Sequence, residues 1–340
     1  MSDHPIDFVI TWVDGEDVNW LNDRNRYEVN IDPTKLDNRK IRYRAWDNFR
    51  FLFRGIEQNA PWVNKVYLIT YGHIPAWLNV DHPKLVIVNH ADYIPHQYLP
   101  TFNSDAIEFN MHRIEGLSEQ FVAFNDDMFI IRQTNPTDFF YNGKPCDSPI
   151  FNPVPCDRVL GTSRFNLKSA ANVAVINSYF DKKDTIKNNF LNWFSIKYGA
   201  ELFRTLLLNH WPHFVGFVNW HMPYSICKST IQTLWDREPE LMNEVSSHKF
   251  RVGTDVNIWL FLYWQYASNN FHPRNPNVGF KGVITSDLQQ NKRLYDKIVS
   301  GKCKLLCLND EADEANFEDV EKQNIKFFES MLPNKSSFER

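Results

Sequence analysis

Two adjacent carboxylates at the end of an apolar run carry the clearest chemical signal in this chain. Asn125-Asp126-Asp127 follows Gln120-Phe-Val-Ala-Phe124 directly. Like charges side by side repel, so such a pair is costly unless a cation or base lies close. Hard divalent ions take oxygen ligands, keep several waters and bridge substrate phosphates. The triplet therefore reads either as a platform for Mg²⁺ or Mn²⁺ beneath a nucleoside diphosphate, or as a polar turn with an aspartate cap. Trp12-Val-Asp14-Gly15 offers a similar end to an earlier apolar run. Trp12 could stack on a base and Asp14 could take ribose hydroxyls or join a metal shell. A buried tryptophan beside a turn aspartate is the plainer alternative.

A second set lies far along the chain. Asn219-Trp-His221-Met-Pro-Tyr224 sets a histidine just ahead of a proline, whose ring pushes the preceding backbone extended. That would hold His221 at the mouth of a following helix, or leave it as a satisfied structural histidine. His248-Lys-Phe-Arg251 precedes Asp255 by the length of a helical turn. An arginine fork suits phosphate oxygens and can neutralise charge that builds during phosphoryl transfer. The alternative is an Arg251–Asp255 helix pair worth a few tenths of a kcal/mol. The chain has no Gly-x-Gly-x-x-Gly, no Gly-Lys-Ser/Thr loop, no nucleophile-elbow serine and no His-Glu-x-x-His. Dinucleotide-dehydrogenase and P-loop chemistry therefore lack their usual footing.

The elements that must position these groups follow from hydrophobic periodicity. Asp7–Val13, Lys65–Thr70, Lys84–Asn89 and Gln120–Phe124 are short β-rich apolar runs and read as buried strands. Phe49, Leu52, Phe53 and Ile56 recur at helical spacing, which predicts a helix from about Tyr43 to Asn59, and a further helical stretch spans about Ser104 to Ile114. Strands alternating with helices indicate an α/β fold with a mostly parallel sheet, whose ligands sit beyond the carboxyl ends of the strands. Asp14 and Asn125-Asp126-Asp127 both fall at such ends. Residues 1–132 read as an α/β core and 133–169, rich in Pro and Asn, as an irregular insertion or site rim. Residues 170–340 read as mainly helical, with helices suggested by Phe190-to-Ile196, Ile226-to-Trp235, Val256-to-Tyr266 and Phe317-to-Met331.

Composition bounds the class. Apolar residues make up 43% and aromatics 15% of 340 residues, ample for a packed core and incompatible with a disordered chain. The aromatic excess serves either the core or a surface that stacks on sugars and bases. A formal charge of −4 gives no global basic field for nucleic acid. Cys146, Cys156, Cys227, Cys303 and Cys307 are too few and too scattered for a disulfide scaffold, which fits a reducing compartment. No basic-then-apolar leader opens the sequence, and the longest apolar stretch, Ile258 to Tyr266, is interrupted by Gln265. The expectation is a soluble, cytoplasmic protein.

These pieces together resemble the Stealth family of bacterial capsular and exopolysaccharide sugar-1-phosphate transferases, related to the animal GlcNAc-1-phosphotransferase precursor. Asp7-Phe-Val-Ile-Thr-Trp-Val-Asp-Gly15 is similar to the family's first conserved region. The span from Arg44 to Arg132 resembles the second, including Arg54-Gly-Ile-Glu-Gln-Asn-Ala-Pro-Trp-Val63, Ala106-Ile-Glu108, His112-Arg-Ile-Glu-Gly-Leu-Ser118 and Phe124-Asn-Asp-Asp127. His221-Met-Pro223, His248-Lys-Phe-Arg251 and Asp255 resemble the third, and Lys304-Leu-Leu-Cys-Leu-Asn-Asp310 the fourth. The second region opens differently here, as Tyr43-Arg-Ala-Trp-Asp-Asn-Phe-Arg50, without the glutamate common in the family.

The resemblance implies a glycosyltransferase-A-like nucleotide-binding sheet with a helical second lobe. It also implies a UDP-sugar donor and a lipid-linked glycan acceptor at the inner face of the membrane beside the capsule assembly machinery. The sugar travels with its β-phosphate, so the product is a phosphodiester and the leaving group UMP. Such chemistry needs in-line positioning and charge neutralisation more than covalent help. On this reading Asp126 and Asp127 hold Mg²⁺ or Mn²⁺ and the diphosphate, with Asp127 also a candidate base. His221 activates the acceptor hydroxyl or steadies the leaving phosphate, and Arg251 grips the transferred phosphoryl group. Asp255 orients Arg251 or completes the metal shell, while Trp12, Asp14, Arg54 and Asn125 bind substrate. A conventional metal-dependent glycosyltransferase releasing UDP and a non-catalytic carbohydrate-binding protein are the competing readings.

Overall fold

A computed structural model describes residues 4–28, 44, 46–155 and 163–340. Cys156 and Tyr43, the expected start of a helix, lie outside them. In chain order the strands are β1 (Ile6–Thr11), β2 (Val66–Thr70), β3 (Leu85–Asn89), β4 (Gln120–Phe124), β5 (Met128–Ile130), β6 (Phe140–Tyr141), β7 (Lys144–Asp147), β8 (Tyr224–Cys227), β9 (His272–Pro273), β10 (Gly279–Ile284) and β11 (Leu305–Asp310). The helices are α1 (Val18–Glu28), α2 (Phe49–Asn59), α3 (His90–Tyr93), α4 (Ser104–Phe109), α5 (Ser163–Tyr179), α6 (Lys182–Asn188), α7 (Phe190–Trp193), α8 (Leu202–Leu208), α9 (Lys228–Arg237), α10 (Pro239–Ser247), α11 (Trp259–Ala267), α12 (Leu288–Ser300) and α13 (Phe317–Met331). None of the described helices is long and apolar enough to cross a membrane.

The central sheet has the order β3-β2-β1-β4-β8. Its first four strands are parallel, with Phe8 opposite Val66 on one side and Val122 on the other, and β8 closes the edge antiparallel to β4. β2 and β4 are buried along their whole length, as continuous apolar runs must be when both faces of a parallel sheet are covered. The chain moves from β1 outward through β2 to β3, then returns to place β4 on the other flank of β1. Strand order therefore reverses between β1 and β4, and a crevice opens beyond their carboxyl ends.

Helix α2 covers this sheet with Phe51, Leu52, Phe53 and Ile56, all buried. It approaches β5 so closely at Gly55 that a Cβ there would lie 2.3 Å from the Ile130 carbonyl oxygen. The described helix begins at Phe49, where the apolar periodicity begins. Helix α1 was unexpected. Among its residues only Trp20 and Arg24 are buried, so no apolar stripe announces it. The stretch from Ser104 is helical only to Phe109, where α4 ends and a single 3₁₀ turn, Met111–Arg113, follows.

The second half of the chain does more than add helices. Ile226 and Cys227, read as the start of a helix, finish β8, and α9 begins at Lys228. Strands β10 and β11 pair in parallel, and β11 runs antiparallel to β5, with Cys307 opposite Met128. Both sheets thus draw strands from either side of the expected divisions at 132 and 169. The Phe190-to-Ile196 run is broken rather than one helix. Helix α7 ends at Trp193, and a separate 3₁₀ segment, Ile196–Glu201, turns on Gly199 with φ +58°. Hairpin β6–β7 with β9 forms a small third sheet, which gives the Pro- and Asn-rich stretch its order. Helix α13 closes the molecule where its apolar spacing predicts, setting Phe328 on Phe51 and Phe129.

Candidate active site

The tips of β1 and β4 face the crevice where strand order reverses. After Phe124 the chain makes one tight turn, the Met128 N–H donating to the Asn125 carbonyl at 3.2 Å. Strand β11 fixes that turn from the other side, since the Leu308 N–H donates to the Asp127 carbonyl at 3.0 Å. The Asp127 side chain is then committed at one oxygen and free at the other. Its Oδ2 lies 3.4 Å from His221 Nε2 and accepts from the Cys307 thiol at 3.4 Å. Its Oδ1 is buried without a hydrogen-bond partner. A buried lone pair left unpaired is costly, and a cation or a donor from a ligand would satisfy it.

Asp126 opens to solvent while protein packs closely around it, as on the floor of a cleft. That crowding, and next the Asp127 charge, lift its pKa to about 7, and the Arg251 guanidinium pulls the other way. Arg251 is therefore close enough to act on Asp126 through space. It is exposed, with Nε donating to Ser104 Oγ at 3.0 Å.

His221 reaches the site from the end of a loop just before β8. Its backbone sits at φ +50°, a left-handed conformation costing about 1–3 kcal/mol for a non-glycine residue and often found at functional sites. The extended backbone expected ahead of Pro223 does not apply at His221; the strand begins only at Tyr224. The imidazole is oriented by a chain of contacts. Trp259 Nε1–H donates to Tyr224 Oη at 3.3 Å, and Tyr224 Oη lies 3.0 Å from His221 Nδ1. This leaves Nε2 aimed at Asp127.

Helix α4 links the two sets. Its Ser104 holds Arg251, and its Asp105 forms a buried ion pair with Lys168. Its Glu108 is buried, and that burial, with the Asp105 charge, pushes its carboxyl well above the usual range, against the opposing charges of Arg251 and Lys168. Glu108 also acts on Tyr224 through space, as Asp127 does. Asp127 and His221 therefore meet directly, with Asp126 exposed at the same turn, while the charge of Arg251 acts on Asp126 and that of Glu108 on Tyr224. Glu108 was not singled out from the sequence, since nothing in Ser-Asp-Ala-Ile-Glu-Phe109 marks it as buried. Cys307 was also missed; only β11's pairing with β5 brings it beside Asp127.

Other expected residues sit elsewhere or do other work. Trp12 stacks on Phe49, rings 5.5 Å apart and 6° from parallel, with His73 edge-on at 5.1 Å. Asp14 stays at the strand tip, half-buried, its N–H donating to His73 Nε2 at 2.8 Å and its Oδ1 accepting from the Glu16 N–H at 2.9 Å. Asn125 is half-buried beside Asp126. Arg54 does not reach the site. It is buried in a two-pronged pair with Glu339, at 2.8 Å from both Nε and Nη2. Its third contact, at 3.2 Å, is to the Leu332 carbonyl. Asp255 does not meet Arg251, because no helix joins them; α11 starts only at Trp259. It is buried and accepts from His248 Nδ1 at 3.0 Å.

Among the described residues, the one group of three with ligand atoms within 4.8 Å of one another is Asp127, His221 and Cys307. Burial and the Asp127 charge hold the Cys307 thiol strongly in its protonated form. A protonated thiol that donates to Asp127 is no ligand for a hard cation. The oxygen left open beside this group is the buried, unpaired Oδ1 of Asp127. Asp255, tied to His248, is not part of the group.

Models of four conserved regions match this chain in order: Stealth protein conserved region 1 over residues 4–32, region 2 over 42–147, region 3 over 220–268 and region 4 over 296–340. Each region carries residues described above: Asp14 in the first, Glu108, Asp126 and Asp127 in the second, His221 and Arg251 in the third, Cys307 in the fourth. The chain is 42% identical to a capsular polysaccharide phosphotransferase WcwK of Streptococcus pneumoniae, over 98% of both chains. It is 39% identical to the receptor polysaccharide phosphotransferase WefC of Streptococcus gordonii, again over 98% of both. It is 38% identical to the exopolysaccharide phosphotransferase cps2G of Lactiplantibacillus plantarum, over 98% and 96%. A solved structure of the galactosyltransferase LgtC aligns over 97% of this chain at 8% identity and a TM-score of 0.39, too slight a likeness to carry an argument.

Proposed function

This chain belongs to the Stealth family, and from that premise we propose that it transfers a hexose-1-phosphate from a UDP-sugar to a hydroxyl of a growing capsular or exopolysaccharide glycan, forming a phosphodiester and releasing UMP. The observation that carries this reading is the meeting of an acidic strand tip with an imidazole and a guanidinium at the point where strand order reverses. His221 Nε2 stands 3.4 Å from Asp127 Oδ2, and Arg251 acts on Asp126 through space. Relatives named as polysaccharide phosphotransferases over nearly their whole length support it.

In this mechanism Asp126 and Asp127 would hold Mg²⁺ or Mn²⁺, which would supply charge neutralisation at the diphosphate. Arg251 grips the non-bridging oxygens of the transferred phosphoryl group, where charge builds. His221, with its proton on Nδ1 donated to Tyr224 Oη and Nε2 left as the lone-pair nitrogen, takes the acceptor hydroxyl proton at Nε2 as the oxygen bonds to the β-phosphorus. The Asp127 carboxylate stabilises the imidazolium that forms. The bond from the β-phosphorus to the bridging oxygen breaks, UMP leaves with the electron pair, and the sugar C1–O bond survives. Asp14 and Trp12 seat the nucleotide at the tip of β1, and Asn125 lines the diphosphate. The acceptor is a lipid-linked glycan, which places the enzyme at the inner membrane face beside the capsule assembly machinery.

Incubation with a panel of UDP-sugars and an acceptor saccharide tests this directly. UMP as the released nucleotide, with a product heavier by a hexose phosphate, is the expected result. Release of UDP would replace this mechanism with ordinary glycosyl transfer.

A further inference from the structure

The segment joining α6 to the loop before β8 turns apolar side chains outward. Phe190, Leu191 and Ile196 are 56%, 82% and 90% exposed. Phe203, Leu206 and Leu207 of α8 follow at 65%, 53% and 55%, and Trp211 at 52%. Nearly half of the large apolar side chains exposed among the described residues lie in this one stretch. On α8 the spacing i, i+3, i+4 puts Phe203, Leu206 and Leu207 on one face. The opposite side of the helix is fastened by buried Thr205, whose Oγ1 accepts from the Phe151 N–H at 3.3 Å.

This surface is firmly held. Trp193 and Tyr198 are fully buried beneath it. The buried Lys182 ammonium donates to the carbonyls of Leu208, Asn209 and Trp211 at 2.8, 3.0 and 2.8 Å. Three carbonyls on one cation pin the turn that carries Trp211. The outward apolar groups are therefore a built feature and not a frayed end.

The charges around it have one dominant sign. Between 187 and 213 the exposed cations are Lys187, Lys197 and Arg204. The one acid there is Glu201, half-buried and 3.7 Å from Arg204. The chain as a whole is at −4, so this local excess runs against the rest of the molecule. A second copy packed by two-fold symmetry would set the same cations against one another. An anionic bilayer meets both features, since aromatic and leucine side chains enter the interface while lysine and arginine face headgroup phosphates.

We propose that the face from Phe190 to Trp211 docks the enzyme on an anionic membrane surface. The proposal does not rest on the phosphotransfer reading, because bilayer binding requires neither nucleotide-sugar nor metal. Sedimentation of the full chain with phosphatidylcholine vesicles, with and without phosphatidylglycerol, tests it. The expected result is co-sedimentation that depends on phosphatidylglycerol and weakens with salt. A triple variant, Leu191→Glu, Leu207→Glu, Trp211→Glu, should lower the bound fraction at least about tenfold, while keeping its thermal midpoint and its turnover of a soluble acceptor. If that variant folds poorly, Leu191→Glu alone, at the most exposed of the three, gives the same comparison. Absence of vesicle binding, binding unchanged in the variants, or a concentration-dependent dimer that the variants dissolve would each overturn the proposal.

Discussion

Arg54 and Arg251 look alike in the sequence: each is an arginine inside a stretch that resembles a conserved region. Packing separates them. Arg54 lies on the buried face of α2, where the C-terminal Glu339 closes over it, whereas Arg251 sits on a loop facing the crevice, held at Nε by Ser104. Neither partner is near in sequence, so residue type alone could not tell a structural fork from a phosphate-binding one. Their variants should separate cleanly. Arg54→Ala strands a buried carboxylate and should cost about 3–5 kcal/mol of stability, read by urea unfolding, with kcat of the remaining folded enzyme close to normal. Arg251→Ala and His221→Ala should leave unfolding unchanged and lower kcat by about two to four orders of magnitude. A near-native kcat in either would remove that residue from the mechanism. The acidic pair could be singled out because it follows an apolar strand directly, although a polar turn was an equal reading of the same residues. Glu108 could not, because burial raised its importance and burial is a property of the folded chain.

At the scale of elements, apolar runs and periodicity located the four parallel strands and α13 to within a few residues, and the end of α2, whose start was set six residues early. They missed α1, which has little apolar face to show. They also missed β11, because Leu305 to Leu308 is too short a run to tell a strand from a buried helix turn. That omission mattered most, since β11 holds the turn carrying Asp127 and brings Cys307 to it. Pairing with β5, more than 170 positions earlier in the chain, is a long-range contact that local pattern does not encode. The close fit of α2 on β5 gives a second prediction. Gly55→Ala would drive a methyl into the Ile130 carbonyl at 2.3 Å, and backbone cannot yield as a side chain would. A loss of about 1–3 kcal/mol is expected, with lowered activity following from displacement of β5 and the Asp127 turn. A thermal midpoint equal to wild type would show that α2 does not bear on the site in this way.

Over the whole molecule, stretches far apart in the chain meet at Asp127, which touches His221 from one and Cys307 from another, and this explains why each looked unremarkable alone. The same burial that builds the crevice leaves two neutral histidines in the interior. His90 and His112 have their pKa pushed down by burial to about 4. Between the ordinary histidine value and 4 the unfolded chain binds the proton and the folded chain does not, so stability rises with pH there. Glu108, raised by burial, and Asp126, raised by the protein crowded around it and by the Asp127 charge, act in the opposite sense over an overlapping range, so the histidine contribution is best read by difference. It is fully present above about pH 6.5 and is lost as pH falls toward 4. His112→Gln should therefore flatten the acid limb of the unfolding free energy by up to about 3 kcal/mol relative to wild type. Parallel limbs would mean that His112 is not kept neutral by the fold.

The central claim is that phosphorus, and not the sugar carbon, is attacked in the crevice between β1 and β4. A UDP-sugar labelled in its β-phosphate, supplied with acceptor and Mg²⁺ or Mn²⁺, tests it most directly. The account predicts that the label enters the glycan in step with the sugar, and that His221→Ala abolishes both together. Label retained in the nucleotide while sugar enters the glycan would contradict it.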